Sequence, residues 1–223
     1  SPRIDWETHG DDGFQRGSVE NGWIRDQGND RGVDLRGVSI GERRNYLHAY
    51  SVNRFRERWR FAAQMEWDED SEVFRDFRRD RFQNNQWNDH FGELAYESDN
   101  WTLSTLTRWQ ANKHEAMIEQ HPSVRFDLAP TPWPHPKIYN TLSFEFGGFR
   151  AKDETGSLVN RAKRLDLGYQ IQRPINLGKG FTYTPFLSYR LQDYSLDGPD
   201  AMRSWGEWGN DLHYAMHGDY DIR

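Results

Sequence analysis

The chain contains no cysteine, few apolar residues and no long hydrophobic run. Without cysteine, none of its 223 residues can form a disulfide or a thiolate metal ligand. A membrane-spanning helix needs about 18 or more consecutive apolar residues, so the lack of such a run excludes a helical membrane protein. Only 35% of the residues are hydrophobic and the mean hydropathy is -1.03, which is low for a soluble β-sandwich that must fill a sealed core.

The charge balance narrows the choice of partners. The net charge is -6 and the isoelectric point is about 5.8, so nothing indicates a nucleic-acid surface. No motif calls for a cofactor, and none is expected. The chain starts at Ser1, without an initiating methionine or a signal peptide, which predicts a mature form or a piece of a longer protein.

Against this polar background, the chain is rich in aromatic residues, with 10 Trp, 13 Phe and 10 Tyr. They alternate with polar residues, as in residues 59–67, 101–109 and 181–191. Successive side chains of a strand point to opposite faces, so each run has one apolar and one polar face. The pattern predicts an all-β fold, an antiparallel transmembrane β-barrel with a polar lumen. We expect residues 1–223 to form part of one barrel domain, a segment of about ten to twelve strands with alternating short and long connections.

Local patterns along the chain predict several further strands, turns and loops. Residues 13–24 and 32–40 are weak strand candidates, and Asp99-Asn100 is a hairpin turn between two stronger ones. The charged stretch 68–90 predicts a solvated loop with a helical turn. Four prolines between residues 130 and 136 predict a rigid turn, and residues 151–160 a polar loop.

Two groups contain residue types that bind metals, histidine in one and aspartate in the other, but neither has a complete set of ligands at the required spacing. His213 and His217 are spaced as on a metal-binding helix, yet no third ligand is nearby, so we interpret them as two histidines that face the lumen or the periplasm. Asp11-Asp12 and the acidic stretch 26–30 do not match a calcium-binding loop and are better explained as turns. No metal site is predicted.

Catalytic and anion-binding interpretations are similarly weak. Glu145, Glu154 and Asp166 include the carboxylates that a glycosidase would need, but their separation is unknown and strand polar faces carry carboxylates anyway. No catalytic residue is therefore predicted. The arginines between Arg75 and Arg81 could bind phosphate, but the acids among them favour mutual pairing on a solvated loop.

Tryptophans at strand ends have two interpretations. Trp59, Trp67, Trp101 and Trp109 lie near the ends of predicted strands, where aromatic girdles of membrane barrels sit at the lipid headgroups. They could instead stack on sugars in a soluble carbohydrate-binding module. Their position favours the girdle.

An ordered series of short motifs resembles one family. A Trp-Asp-Glu-Asp run precedes Glu72-Val73-Phe74-Arg75-Asp76-Phe77 and several further motifs. These are Tyr96–Trp101, Arg108–Asn112, His121–Pro130, Asn160-Arg161, Leu165–Leu167, Arg173-Pro174 and Phe181–Pro185. From about residue 58 to 194, the series resembles the barrel domain of the outer-membrane lipopolysaccharide-assembly proteins, the organic-solvent-tolerance family.

The resemblance implies a very large single-chain barrel in the bacterial outer membrane, preceded by a periplasmic jelly-roll. It implies a lipoprotein plug inside the lumen and a periplasmic bridge protein that delivers lipopolysaccharide. The lipid would leave between the first and last strands into the outer leaflet, without covalent chemistry. We expect the chain to contain neither the jelly-roll nor both gate strands, and the family's cysteines have no counterpart in it. The resemblance therefore implies an inner portion of the barrel wall.

Strand alternation assigns side chains to two faces. The polar set is expected to face the lumen and comprises Arg60, Gln64, Glu66, Arg108, Gln110, Arg125, Asp127, Asp166, Gln170, Gln172, Arg190 and Gln192. The apolar set is expected to face lipid and comprises Trp59, Phe61, Leu103, Val124, Phe126, Phe144, Leu167, Ile171, Tyr183 and Leu187.

Two alternatives to lipopolysaccharide assembly remain at this point. One is a porin-like outer-membrane channel for small solutes, which has the same composition. The other is a secreted, soluble β-sandwich that binds or cleaves polysaccharide, which the low hydrophobic content permits.

Overall fold

The computed structural model describes residues 2–28, 30–79, 89–134, 137–196 and 199–215. Twelve strands account for most of these residues, together with the short helix α1 (Val73–Phe77). The strands are β1 (Arg3–Gly10), β2 (Gly13–Arg25), β3 (Arg43–Phe55), β4 (Trp59–Asp68), β5 (Phe91–Glu97), β6 (Trp101–Arg108), β7 (Met117–Pro132), β8 (Tyr139–Lys152), β9 (Leu158–Gln172), β10 (Ile175–Gly178), β11 (Phe181–Leu196) and β12 (Ala201–Tyr214).

The strands form one antiparallel sheet in which sequence neighbours pair from β1 to β9. After β9, residues 173–174 interrupt the strand, and it resumes as β10. Both β9 and β10 pair with successive parts of one edge of β11, and β12 pairs with the other edge of β11. The all-β antiparallel fold is as predicted and is consistent with a segment of a barrel wall. Among the described residues β1 and β12 do not pair with each other, so the sheet is not closed.

Connections alternate in length, which gives the sheet two unlike ends. One end, the short-turn end, carries the connections 11–12, 56–58, 98–100, 133–138 and 179–180. The other, the long-loop end, carries 26–42, 69–90, 109–116, 153–157 and 197–200. This alternation is the one expected of an outer-membrane barrel wall.

A second sheet, which a β-sandwich would pack against the first, is not found among the described residues. No helix in the part that the structure describes is long and apolar enough to cross a bilayer.

Some local expectations were wrong. Residues 32–40 form no strand, only a single bridge between Val33 and Ser39. The edge strand β1 was not predicted, because it shows only Ile4 and Trp6 on its apolar face. The proline-rich turn starts later than expected, since β7 runs through Pro132 at an irregular register. The polar loop expected over 151–160 is only 153–157.

Candidate functional site

The cross-strand register separates the two predicted sets of side chains. Asp166 lies opposite Glu145, and Glu145 lies opposite Arg125, while the next residue, Leu167, lies opposite Phe144. Followed from β4 to β12, this alternation puts the apolar set on one face of the sheet, the apolar face. It puts the polar set on the other, the polar face, apart from Gln110. Which face meets lipid stays a prediction.

Gln110 was expected in a strand but lies beyond the end of β6, in the connection to β7. Its backbone N–H donates to Glu119 Oε1 at 3.0 Å, and its side-chain amide donates to the carbonyl of Asp153 at 2.7 Å. The residue therefore ties two long-loop-end connections together.

The polar face carries a network of ion pairs between neighbouring strands. Arg60 Nη1 on β4 lies 3.0 Å from Glu93 on β5. Arg190 on β11 donates twice to Asp166 on β9, at 2.8 and 2.7 Å, and Gln192 donates a third bond at 2.7 Å. Charged groups of both signs thus line the face while compensating one another.

Two of the carboxylates considered for glycoside cleavage, Glu145 and Asp166, belong to this network. Glu145 pairs with Arg164 and lies 3.9 Å from Arg125, and Asp166 is held by Arg190. Glu154 lies apart, in the exposed connection 153–157. The structure therefore does not bring the three carboxylates together around one substrate position.

The apolar face is strongly exposed. Its large exposed side chains are Ile4, Val19, Trp23, Phe61, Leu94, Leu103, Val124, Phe146, Tyr169, Leu187, Tyr189, Met202, Trp208 and Leu212. Trp208 is 77% exposed and Leu187 57%. These exposed apolar side chains occur on strands from β1 to β12, whereas an ordinary soluble protein exposes such residues singly.

Aromatic rings form a row along this face near the short-turn end. Phe55 stacks on Trp59 with ring centroids 6.3 Å apart, and Trp59 meets Tyr96 at 5.1 Å. Trp101 then lies 5.2 Å from Tyr96 and 5.9 Å from Phe126. This aromatic row joins five strands, β3 to β7, at one level of the sheet.

At the long-loop end, α1 and residues 69–79 fold against the polar face of β2–β4, and we call this unit the polar cap. Its centre is Arg44, only 1% exposed, which donates to both oxygens of Asp70 at 2.9 and 2.7 Å and to Asp76 at 2.8 Å. Asp70 also accepts from the N–H of Glu72 at 2.9 Å, a local turn that starts α1.

Other cap contacts reach across the sheet. Arg78 pairs with Glu20 of β2, and its guanidinium donates to the Tyr46 hydroxyl at 2.7 Å. Phe74 of α1 stacks on His48 with centroids 4.9 Å apart. The cap is therefore bound by both charge and ring contacts.

A solvated loop was expected over 68–90, and these contacts correct that expectation for residues 68–79, while residues 80–88 lie outside the described part of the chain. The helical turn exists, but Asp68, Asp70 and Glu72 are buried rather than solvated. Arg75 pairs with Glu72 as expected, whereas Arg78 pairs with a distant strand. Arg81 and His217 lie outside the described residues.

Two histidines at the long-loop end are buried, and burial lowers the pKa of each. The ring of His90 is fully buried, and its Nδ1 accepts from the backbone N–H of Glu66 at 3.1 Å. Burial lowers the pKa of His90 to about 4, the nearby Asp89 acting in the opposite direction. Burial also lowers the pKa of His114, in the connection 109–116, and the nearby Arg36 adds to that shift.

The cap residues were not predicted as a site. The available signal was the alternation within β3. Arg44, Tyr46 and His48 occupy every second position and share one face, and the intervening Asn45 and Leu47 point to the other face. Their partners lie 20 to 32 residues away in the sequence, so the pairing itself could not be predicted.

Comparison with known proteins gives one finding. A family model described as LptD, LPS transport system D, matches residues 42–214, which is most of the chain and includes β3 to β12. No curated protein matches the chain.

Proposed function

The chain belongs to the LPS transport system D family, and from this we propose that it forms part of the wall of an outer-membrane β-barrel that inserts lipopolysaccharide (LPS) into the outer leaflet. LPS transport follows from the family; insertion by a barrel wall is our proposal. The observation that carries it is the sheet itself, with ion pairs on one face and exposed apolar residues on the other. A barrel wall between lipid and a polar lumen needs this combination.

The two faces match the two parts of the transported lipid. LPS joins phosphorylated sugars to acyl chains, and its sugars cannot cross hydrocarbon without a polar path. The polar face offers arginine and carboxylate groups, such as Arg60 with Glu93 and Arg190 with Asp166, that can exchange partners with a passing sugar phosphate. We propose that this face lines the lumen.

The unequal ends suggest an orientation. Outer-membrane barrels keep short turns in the periplasm and long loops outside. On this basis the short-turn end lies in the periplasm, with the aromatic row at the inner headgroup level, and the polar cap lies outside the cell.

The remaining parts of the proposal concern partners. A lipoprotein plug would occupy the lumen against the polar face, and a periplasmic bridge protein would deliver LPS from the short-turn side. The process needs no covalent step, which agrees with a polar face whose carboxylates Glu145 and Asp166 are engaged by arginines.

The test uses the full-length protein in cells. We expect it in the outer-membrane fraction, with gel mobility that changes on boiling, and its depletion should lower LPS at the cell surface before other outer-membrane proteins decline. A porin-like channel would give the first two results but leave surface LPS unchanged. A water-soluble protein with heat-independent mobility would contradict the proposal altogether.

A further inference from the structure

On the apolar face of β8 and β9, hydrophobic residues are followed by basic ones toward the long-loop end. Along β9, Leu165 is followed on the same face by Lys163 and Arg161. Along β8, Phe146 is followed on that face by Arg150. At about 3.3 Å per residue, Lys163 lies about 7 Å beyond Leu165 and Arg161 about 13 Å beyond it. The three cations, which we call the basic cluster, therefore border the apolar band.

The arrangement within the basic cluster is unfavourable without an anion. Arg150 lies directly opposite Arg161 in the register, where side chains begin about 5 Å apart and like charges destabilise a sheet. Within the described part of the chain, none of the three cations forms an ion pair. Glu119 lies opposite Arg150, but its carboxylate is held by Lys152 and His121, each at 2.9 Å.

The basic cluster lines part of a depression in the surface. Arg150, Arg161 and Lys163 line it together with His121 and Ser195, and its volume is about 470 Å³. All three cations are exposed, so an anion can reach them without rearrangement of the sheet. The space accepts a phosphate group and part of the headgroup that carries it.

We propose that the basic cluster binds the phosphate monoester of a lipid headgroup in the leaflet at the long-loop end, on the outside of the wall and apart from the polar face. The inference rests on the proposed function, because it requires the apolar face to meet lipid. Two guanidinium groups can each bind a phosphate with parallel hydrogen bonds, and Lys163 adds a point charge. A phosphate monoester carries nearly two negative charges, whereas a carboxylate carries one. The monoester therefore balances the charge of three cations better.

The experiment uses full-length protein in phosphatidylcholine vesicles with trace spin-labelled lipid. Electron paramagnetic resonance measures the lipid held motionally restricted at the protein surface. Spin-labelled phosphatidic acid, a phosphate monoester, is compared with spin-labelled phosphatidylcholine. The test variant combines Arg150→Gln, Arg161→Gln and Lys163→Gln. The control removes three cations at the short-turn end, through Arg56→Gln, Arg173→Gln and Lys179→Gln.

We expect the wild type and the control to prefer phosphatidic acid by about fivefold, or about 1 kcal/mol, and the test variant to lose the preference. Arg161→Gln alone should reduce it partly, and heat-dependent gel mobility checks that each variant is folded. A preference that survives in the folded test variant overturns the inference, as does one abolished by excess inorganic phosphate, which would indicate a free-phosphate site. Restricted lipid without headgroup preference refutes this inference alone, whereas no restricted lipid at all refutes the proposed function.

Discussion

The guanidinium of Arg44 and the carboxylate of Asp70 form a two-bond ion pair, at 2.9 and 2.7 Å, between residues 26 positions apart. The pair joins the start of β3 to the segment that leads into α1. The guanidinium of Arg44 also lies over the ring of Phe77, 5.0 Å from its centroid. The polar cap is therefore assembled around one buried charge.

Arg44→Gln should open the polar cap. The substitution leaves Asp70 and Asp76 without their main cation, and loss of one partner of a buried ion pair costs about 3–5 kcal/mol. Limited proteolysis of the full-length protein in detergent should show faster cleavage within residues 69–79. Arg75→Gln removes an exposed arginine from the same segment and should leave the rate nearly unchanged. Equal cleavage of the two variants would contradict a cap centred on Arg44.

Acid should loosen the long-loop end through His90. Its pKa in the folded protein, about 4, lies below the ordinary 6.5, so the unfolded chain takes up a proton first. The stability from keeping His90 neutral is therefore complete above about pH 6.5 and is lost as the pH falls toward 4. Protonation would also place a hydrogen on Nδ1, which accepts from Glu66 N–H. Proteolysis of the cap should quicken over this pH range.

The corresponding variant is His90→Gln, whose cleavage rate should depend less on pH between 6.5 and 4. Groups around His90 that contribute their own charge include Asp89, Arg108 and His114, so a residual slope is expected. His9→Gln, at an exposed position in β1, should behave as the wild type. If His90→Gln and His9→Gln have the same pH profile, His90 does not control the response.

Charges on the apolar face should block assembly. Phe126→Arg and Leu167→Arg each place a charge in the proposed lipid contact, at a cost of about 2–4 kcal/mol near mid-membrane. Gln170→Arg adds the same charge to the polar face, where Gln170 now bonds Gln172 at 3.1 Å, and should assemble normally. Heat-dependent gel mobility of the outer-membrane fraction measures assembly. Comparable assembly of all three variants would refute the assignment of faces.

Trp101→Ala should weaken the aromatic row. Trp101 contacts both Tyr96 and Phe126, and such ring pairs contribute about 0.5–1.5 kcal/mol each beyond burial. The temperature at which gel mobility changes should fall. Trp23, 71% exposed on the same face and without a ring partner among the described residues, supplies the control variant Trp23→Ala. An equal fall in both variants would mean that the ring contacts add nothing.

The sequence predicted the sheet better than its loops. Alternation in β4 distinguished Trp59 and Phe61 from Arg60 because neighbouring residues on a strand face opposite ways, a purely local property. The hairpin at Asp99-Asn100 was likewise local. Such features need no knowledge of the rest of the chain.

The polar cap could not be predicted in the same way. Arg78 looks like any charged loop residue until Glu20, 58 positions earlier, is brought next to it by the pairing of β2 with β3. Charged residues favour solvent unless such partners exist, so a solvated loop was the expectation. The basic cluster was missed because the opposition of Arg150 and Arg161 depends on the register of β8 and β9.

The grouping of all long connections at one end affects how the wall can move through a bilayer. The turns 11–12, 56–58 and 98–100 are small, whereas the opposite end bears the folded cap with Arg44 and its carboxylates. If the sheet spans the membrane, withdrawal of a hairpin toward the short-turn side would move the charged polar cap through hydrocarbon. Unsolvated charges are very unfavourable there. The cap would then form only after the loops have crossed the membrane. Once formed, it would prevent the inserted hairpins from leaving, so that insertion is irreversible.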